Sequence, residues 1–171
     1  MAFWSSDRQE PKLSYRWYAA FGFSGGAVNS YTIRSFQKPS FEIATSEYIW
    51  LNDVAYRPGL ISWNPVEITL TDGEGKENNT LNLNRQLQRA GYQNTTVNAP
   101  RNAIEKRKAS QALGGDVRLT QIDARGRAIE EWQLVDPFIT TVNFGQANYG
   151  TEEIMTITLA IRYDYAIHNN L

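Results

Sequence analysis

The sequence has no cysteine and a single histidine, His168. Without thiols there is no disulfide framework and no thiolate metal site, and one imidazole alone does not build a zinc or copper centre. Charge of either sign is not in excess: 17 Lys and Arg stand against 18 Asp and Glu, a net charge of −1. A protein that gripped nucleic acid would carry a clear basic surplus. No apolar run approaches the ~20 residues of a membrane-spanning helix. The N-terminus, Met-Ala-Phe-Trp-Ser-Ser-Asp-Arg, places polar and acidic residues where a signal peptide needs an apolar segment. That predicts a chain made and kept in a cytoplasm. Solenoid-period repeats and low-complexity tracts are also missing.

Aromatic residues are plentiful: five Trp, nine Tyr and seven Phe in 171 residues. They favour strands, and the length suits one domain with a full-sized core. Residues 116–165 carry the clearest pattern. Met155, Ile157, Leu159, Ile161, Tyr163 and Tyr165 alternate with Thr156, Thr158, Ala160, Arg162 and Asp164. A period of two gives one apolar and one polar face, the mark of a half-buried strand. Residues 117–134 read as a hairpin turning at Asp123–Gly126, where glycine supplies the left-handed conformation. Asp136-Pro137 breaks its second arm, 138–144 form a short connecting strand, and Asn148-Tyr149-Gly150 turn into the long strand.

Earlier in the chain, residues 1–12 read as an N-terminal arm and 13–23 as an aromatic strand. Ser24-Gly25-Gly26 is a turn, and 28–36 is expected to pair back on the first strand. Residues 41–61 form a second long hairpin with its tip at Asn52-Asp53. Near that tip Tyr48, Ile49, Trp50 and Leu51 make four consecutive large apolar residues, with Val54 and Tyr56 on the return arm. In a lone domain such a run is buried or it aggregates. Residues 66–71 alternate as another strand. Residues 78–91 carry helix signals: Asn78, Asn79 or Thr80 as cap, Leu83, Leu87 and Ala90 at helical spacing, and Gly91 as terminator. Residues 100–113 are a second, less periodic helix candidate, and 166–171 a C-terminal tail. The predicted fold is mainly β: an antiparallel β-sandwich or barrel with a packed α-helix and a long projecting hairpin, in a single domain over 1–171.

No catalytic constellation emerges. Gly22-Phe-Ser24-Gly-Gly26 matches the nucleophile-elbow pattern, but a strand-like segment follows where the elbow needs a helix. His168 beside Asn169-Asn170 reads as a solvated tail residue. Asp72, Glu74 and Glu77 do not fit a calcium-loop spacing. Lys106-Arg107-Lys108, with Arg101, reads as a basic run complementing a helix C-terminus. Glu130-Glu131 and Glu152-Glu153 are neighbours in strands, point to opposite faces, and read as solvated strand ends. No enzyme activity, cofactor or metal is expected.

Several stretches together resemble the tail tube proteins of contractile-tailed bacteriophages. These are Pro11-Lys-Leu-Ser-Tyr-Arg-Trp-Tyr, Lys38-Pro39-Ser-Phe-Glu-Ile, residues 52–59 and Trp63-Asn-Pro-Val-Glu-Ile-Thr-Leu-Thr. The end of the chain adds Trp132-Gln-Leu-Val-Asp-Pro-Phe, Val142-Asn-Phe-Gly, Tyr149-Gly-Thr-Glu-Glu-Ile and Thr158-Leu-Ala-Ile-Arg-Tyr-Asp-Tyr-Ala. The resemblance implies hexameric rings whose sheets join in one inner barrel and which stack into a tube. It implies a tail sheath outside the tube, a tape-measure protein and then phage DNA in the lumen, and baseplate and tail terminator proteins at the ends. The location implied is the virion, assembled in the host cytoplasm. Under this reading Tyr48, Ile49, Trp50, Leu51, Val54 and Tyr56 form an inter-ring stacking interface. Met155, Ile157, Leu159, Ile161 and Tyr163 form the core of the ring-closing sheet, and Thr156, Thr158, Arg162 and Asp164 are candidates to face the lumen. Related tube-like proteins of baseplates and bacterial secretion systems share this architecture. A carbohydrate-binding β-sandwich module, using the aromatics as sugar platforms, is the competing reading from another class.

Overall fold

The computed structural model describes residues 12–23, 26–27, 32–75, 78–92, 104–150 and 152–170. Among these residues eleven strands and two helices run in the order β1 (Trp17–Phe23), β2 (Gly26–Ala27), β3 (Ile33–Phe36), β4 (Phe41–Trp50), β5 (Asp53–Trp63), β6 (Val66–Thr71), α1 (Asn79–Arg89), α2 (Lys106–Ala112), β7 (Asp116–Ile122), β8 (Ala128–Val135), β9 (Phe138–Asn143), β10 (Thr156–Arg162) and β11 (Tyr165–Asn170). They build a five-stranded sheet, β11-β8-β7-β1-β2, a four-stranded sheet, β3-β6-β10-β9, and the separate β4-β5 hairpin. Every pairing is antiparallel.

The core follows from the period-two patterns. Val66, Ile68 and Leu70 of β6 and Ile157, Leu159 and Ile161 of β10 have no accessible surface. Val117 and Leu119 of β7, Leu134 of β8, and Ala19 and Phe21 of β1 meet them from the other sheet in one cluster. Removing each large aliphatic side chain from water contributes about 1.5–3 kcal/mol. Helix α1 adds Leu83 to the same core. Its start is fixed by Asn78, whose Oδ1 accepts from the Leu81 amide at 2.7 Å. It ends where Gly91, at φ 102°, lets the Tyr92 amide reach the Leu87 carbonyl at 2.9 Å. That is the hydrogen bond of a Schellman stop, which favours glycine.

Three expectations are corrected. Residues 28–31 of the strand expected over 28–36 lie outside the described residues, and its described part does not return on the first strand: β3 pairs with β6 in the other sheet, and the short β2 is what pairs with β1. The final strand is also shorter than its alternation suggested. β10 stops at Arg162, the chain turns at Tyr163–Asp164, and the expected tail becomes β11, an edge strand on β8. This turn lies beside the Asp136–Pro137 link from β8 to β9, because the Asp164 amide donates to the Val135 carbonyl at 3.1 Å. Thus both late crossings between the sheets share one corner, and Tyr163 stays buried there while the strand direction changes. The basic run Lys106-Arg107-Lys108 opens α2 instead of closing a helix, so it opposes the helix dipole, and Lys106 is paired with Asp164 instead. Arg101 lies outside the described residues. Among the described residues no helix is long and apolar enough to cross a membrane.

Candidate assembly surfaces

The β4-β5 hairpin is exposed along its length. Every residue from 41 to 62 is exposed, and among the described residues the two strands pair only with each other. At its root Phe41 meets Trp63 edge-on at 5.1 Å, Trp63 meets Tyr163 at 5.9 Å, and the Asn64 amide donates to the Ser40 carbonyl at 2.9 Å. The pairing slips by one residue between Ile43↔Ile61 and Thr45↔Pro58. Gly59 sits at this bulge, and a Cβ there would stand 3.1 Å from the Ala44 carbonyl oxygen. Such a bulge increases local twist and re-aims the outer part of a strand.

The register divides the predicted stacking residues. Ile49, Val54 and Tyr56 share one face with Phe41, Ile43 and Ile61, and Tyr48 and Trp50 lie on the other. The Arg57 guanidinium sits over the Tyr48 ring at 5.0 Å on that second face. The loop is Leu51-Asn52, one residue earlier than expected. Leu51 is 87% exposed and has φ 54°. A side chain with a Cβ rarely adopts that conformation, which costs about 1–2 kcal/mol, and leucine in water gains nothing there to offset it.

The predicted core of the terminal strand is placed as follows. Ile157, Leu159, Ile161 and Tyr163 are buried, whereas Met155 precedes β10 and is 41% exposed. Met155 follows the alternation but stands in the loop before the strand, where its carbonyl accepts from the Asp72 amide at 2.9 Å. Of the candidate lumen residues, Thr156 and Thr158 lie on the outer face of β10, paired with Thr71 and Thr69 of β6, and are half-buried. Arg162 is exposed at the end of β10. Asp164 does not join them: it lies past the strand, at the corner, against Lys106 of α2. Outermost strands β3 and β9 of one sheet, and β2 and β11 of the other, have no further strand beside them among the described residues.

One carboxylate departs from the expectation. Glu130 is 6% exposed instead of solvated. It accepts from Lys12, from the Lys38 ammonium at 3.0 Å and from the Trp132 indole nitrogen at 2.6 Å. His168 Nε2 lies 3.8 Å away, its ring against Trp132, so this histidine belongs to strand β11 and not to a solvated tail. Burial pushes the Glu130 carboxyl up most strongly of any single influence. The hydrogen bonds from Lys12, Trp132 and Lys38 together outweigh it and hold the group at about 2. Lys38 lies between β3 and the hairpin root, so Glu130 ties that root to the five-stranded sheet. The missed signal is the register: Glu130, Trp132 and Leu134 are alternate residues of β8, so Glu130 falls in the inward row.

The other polar candidates are accounted for locally. Asp72 accepts from the Thr80 amide at 3.1 Å and its hydroxyl at 2.6 Å, tying down the start of α1. Glu74 is exposed, Glu77 and Ser24 lie outside the described residues, and the next described element after Ser24 is strand β2. Among the described residues no three side chains of metal-ligating type cluster together.

No protein-family model matches the chain, and no curated protein matches its sequence. Solved structures do match. A chain of the anti-feeding prophage cap, the AFP tube-terminating cap, gives a TM-score of 0.68 at 16% identity and covers 100% of both chains. A chain of the PVC sheath-tube complex, an extracellular contractile injection system in its extended state, gives 0.68 at 15% identity, with 98% and 99% covered. A chain of the AFP baseplate, 6-fold symmetrised, gives 0.67 at 13% identity, with 94% and 97% covered. This chain therefore has the fold of the tube and cap proteins of contractile injection systems.

Proposed function

We propose that this chain is a structural subunit, not an enzyme, whose copies close into hexameric rings and whose rings stack into the inner tube of a contractile phage tail. The observation that carries the proposal is the hairpin. A run of large apolar residues held clear of its own core is an aggregation hazard in a monomer and a contact surface in an assembly. Sheet edges β3, β9 and β11 offer backbone groups that ring closure would pair. The face of β10 bearing Thr156, Thr158 and Arg162 then lines the lumen, through which phage DNA passes after the tape-measure protein leaves. Near-neutral charge suits a conduit that does not retain phosphates. The tail sheath surrounds the tube, baseplate and terminator proteins meet its ends, and the product is part of the virion, assembled in the host cytoplasm.

A second reading, a tube or cap subunit of an extracellular contractile injection system, is favoured by the names of the similar structures. Both readings predict the same first experiment. Purified protein should elute as hexamers or larger particles on a sizing column, and negative-stain images should show rings or tubes. A monodisperse monomer at all concentrations would remove both and leave the carbohydrate-binding module. Packaging of the tube with tail DNA in a phage lysate, against its release as a DNA-free particle, separates the first reading from the second.

A further inference from the structure

Charge is not spread evenly over this chain. Helices α1 and α2 carry Arg85, Arg89, Lys106, Arg107 and Lys108 and no acid, although the whole chain has a net charge of −1. Three of these cations open α2, which has no side-chain cap. Positive charge is unfavourable at that end of a helix. A local rule broken in this way marks residues kept for something other than the stability of the element. Lys106 pairs with Asp164, and Lys108 pairs with Glu105 at 3.0 Å. Arg107 is exposed and makes no ion pair among the described residues. The helices also leave two open grooves that meet at the exposed Gln111. One, of about 460 Å³, is lined by Lys106, Arg107, Gln111 and Asp136 among others. The second, of about 130 Å³, lies between the helices, with Arg89, Lys108 and Gln111 on its walls. Ala112 beside it is buried in a cluster with Ala90, Ala109, Tyr92 and Phe138, so the groove has a packed floor.

We propose that these grooves seat a short acidic segment of a partner protein, with its carboxylates reaching Arg107 and Lys108 on either side of Gln111. A guanidinium gives a carboxylate two parallel hydrogen bonds, and the Gln111 amide can donate to a backbone carbonyl of the same segment. Nucleic acid fits less well. Asp136 lines the larger groove, and Asp164 and Glu105 stand beside the lysines. A phosphodiester carries a charge at every step and runs into these acids, whereas a peptide can place its acids against the cations alone. The proposal rests on the tube reading for one point only, the side of the wall on which the partner stands. Leu83 of α1 and Leu113 just after α2 belong to the core between the sheets, whereas Thr156 and Thr158 lie on the opposite face of β10. Where that threonine face lines a lumen, the helical grooves open on the outside.

The test is a titration of the whole chain against three fluorescein-labelled ligands, read by polarisation. These are a peptide of four consecutive glutamates, its glutamine counterpart, and an oligothymidylate of similar length. The glutamate peptide should bind saturably and weaken as salt is raised, and the glutamine peptide should not bind. Arg107→Glu reverses one exposed charge and should weaken the glutamate peptide about tenfold or more. Arg125→Glu makes the same change of charge in the turn at the other end of β8 from Asp136, and should change binding less than twofold. Equal weakening by both variants would mean general attraction and overturn the proposal. So would a glutamate peptide that does not bind, or an oligothymidylate that binds more tightly than the peptide. The same samples are imaged by negative stain. Rings that ignore the peptide would sink the groove alone. Peptide binding by a protein that never forms rings would sink the tube reading and leave the groove standing.

Discussion

Strand β10 and the β4-β5 hairpin are written in the same chemistry and end in opposite surroundings. Both alternate large apolar side chains with smaller or polar ones. Ile157, Leu159 and Ile161 have no surface left to water, because a second sheet and α1 lie over them. Ile49, Val54 and Tyr56 make an equally continuous apolar row and are half or more exposed. Periodicity tells which face of a strand is covered, and it does not tell by which molecule. The same alternation that folds the subunit in one place is left open to water in the other.

The sharpest way to break the comparison is to put a charge in each row. Leu159→Asp buries an unpaired carboxylate among aliphatic side chains, which costs several kcal/mol. The expected outcome is an insoluble or molten protein, read by loss of a cooperative thermal transition and of near-ultraviolet circular dichroism. A soluble hexamer with an ordinary melt would remove β10 from the core. The matching change in the hairpin is Trp50→Ala with Leu51→Ser. It touches residues that contact no core, so the melting temperature of isolated subunits should stay within about 1 °C, in keeping with the small effects of exposed substitutions. Under the proposed hexameric stacking, tubes should fall apart into single rings, since six weakened contacts would act together at each junction. Unfolding of this variant, or tubes of unchanged length, would show that the hairpin does not stack.

These two regions also explain what the sequence made legible. The strands of the core were readable because each has a buried and an open face, so Val66–Thr71 and the turn at Asp123 to Gly126 stand where the pattern placed them. The helix of residues 79–89 was readable from its cap and its glycine stop. What failed depended on pairing between distant segments. Nothing local in residues 28–36 says that β3 joins β6 and not β1. Nothing in the run from Thr156 to Tyr165 marks the corner at which the chain changes sheets, because Tyr163 and Tyr165 keep the alternation while the partner strand changes from β6 and β9 to β8. Alternation within β8 puts Glu130 in the inward row, but its partners are not local: lysines from before β1 and before β4 converge on it across 118 and 92 residues.

Glu130 offers a smaller, pH-dependent test at the joint between the two regions. Its folded-state value, about 2, is below the ordinary 4.5. A depressed carboxylate stabilises the folded state fully above the unfolded value, and that contribution fades as pH falls from about 4.5 towards 2. The two lysines are half-exposed, so screening reduces the effect to on the order of 2 kcal/mol. Glu130→Gln should lower the melting temperature at pH 7 by several degrees and leave it nearly unchanged at pH 2. The decline of stability between those values should be shallower than in the unsubstituted protein. Equal losses at both ends of the range would mean that shape, and not charge, is what the site requires.

The smallest effect expected on the subunit comes from Leu51→Gly, and it sharpens the comparison furthest. Leucine at φ 54° carries a backbone cost that glycine does not. Glycine also has more freedom to lose, so the net gain for the free hairpin is about 0.5–1 kcal/mol. Because β4 and β5 pair with no other described strand, this gain should be seen locally. Amide hydrogen exchange of Trp50 and Asp53, the pair that closes the turn, should slow by about two- to fivefold while that of β10 is unchanged. In the assembled protein the sign should reverse. The same substitution removes an apolar side chain that is 87% exposed in the subunit, and tubes should shorten. A steadier hairpin with a weaker tube would mean that the strain at Leu51 is kept for the contact its side chain makes outside the subunit. Steadier hairpins with tubes of full length would leave the strained leucine without a role at the ring junction.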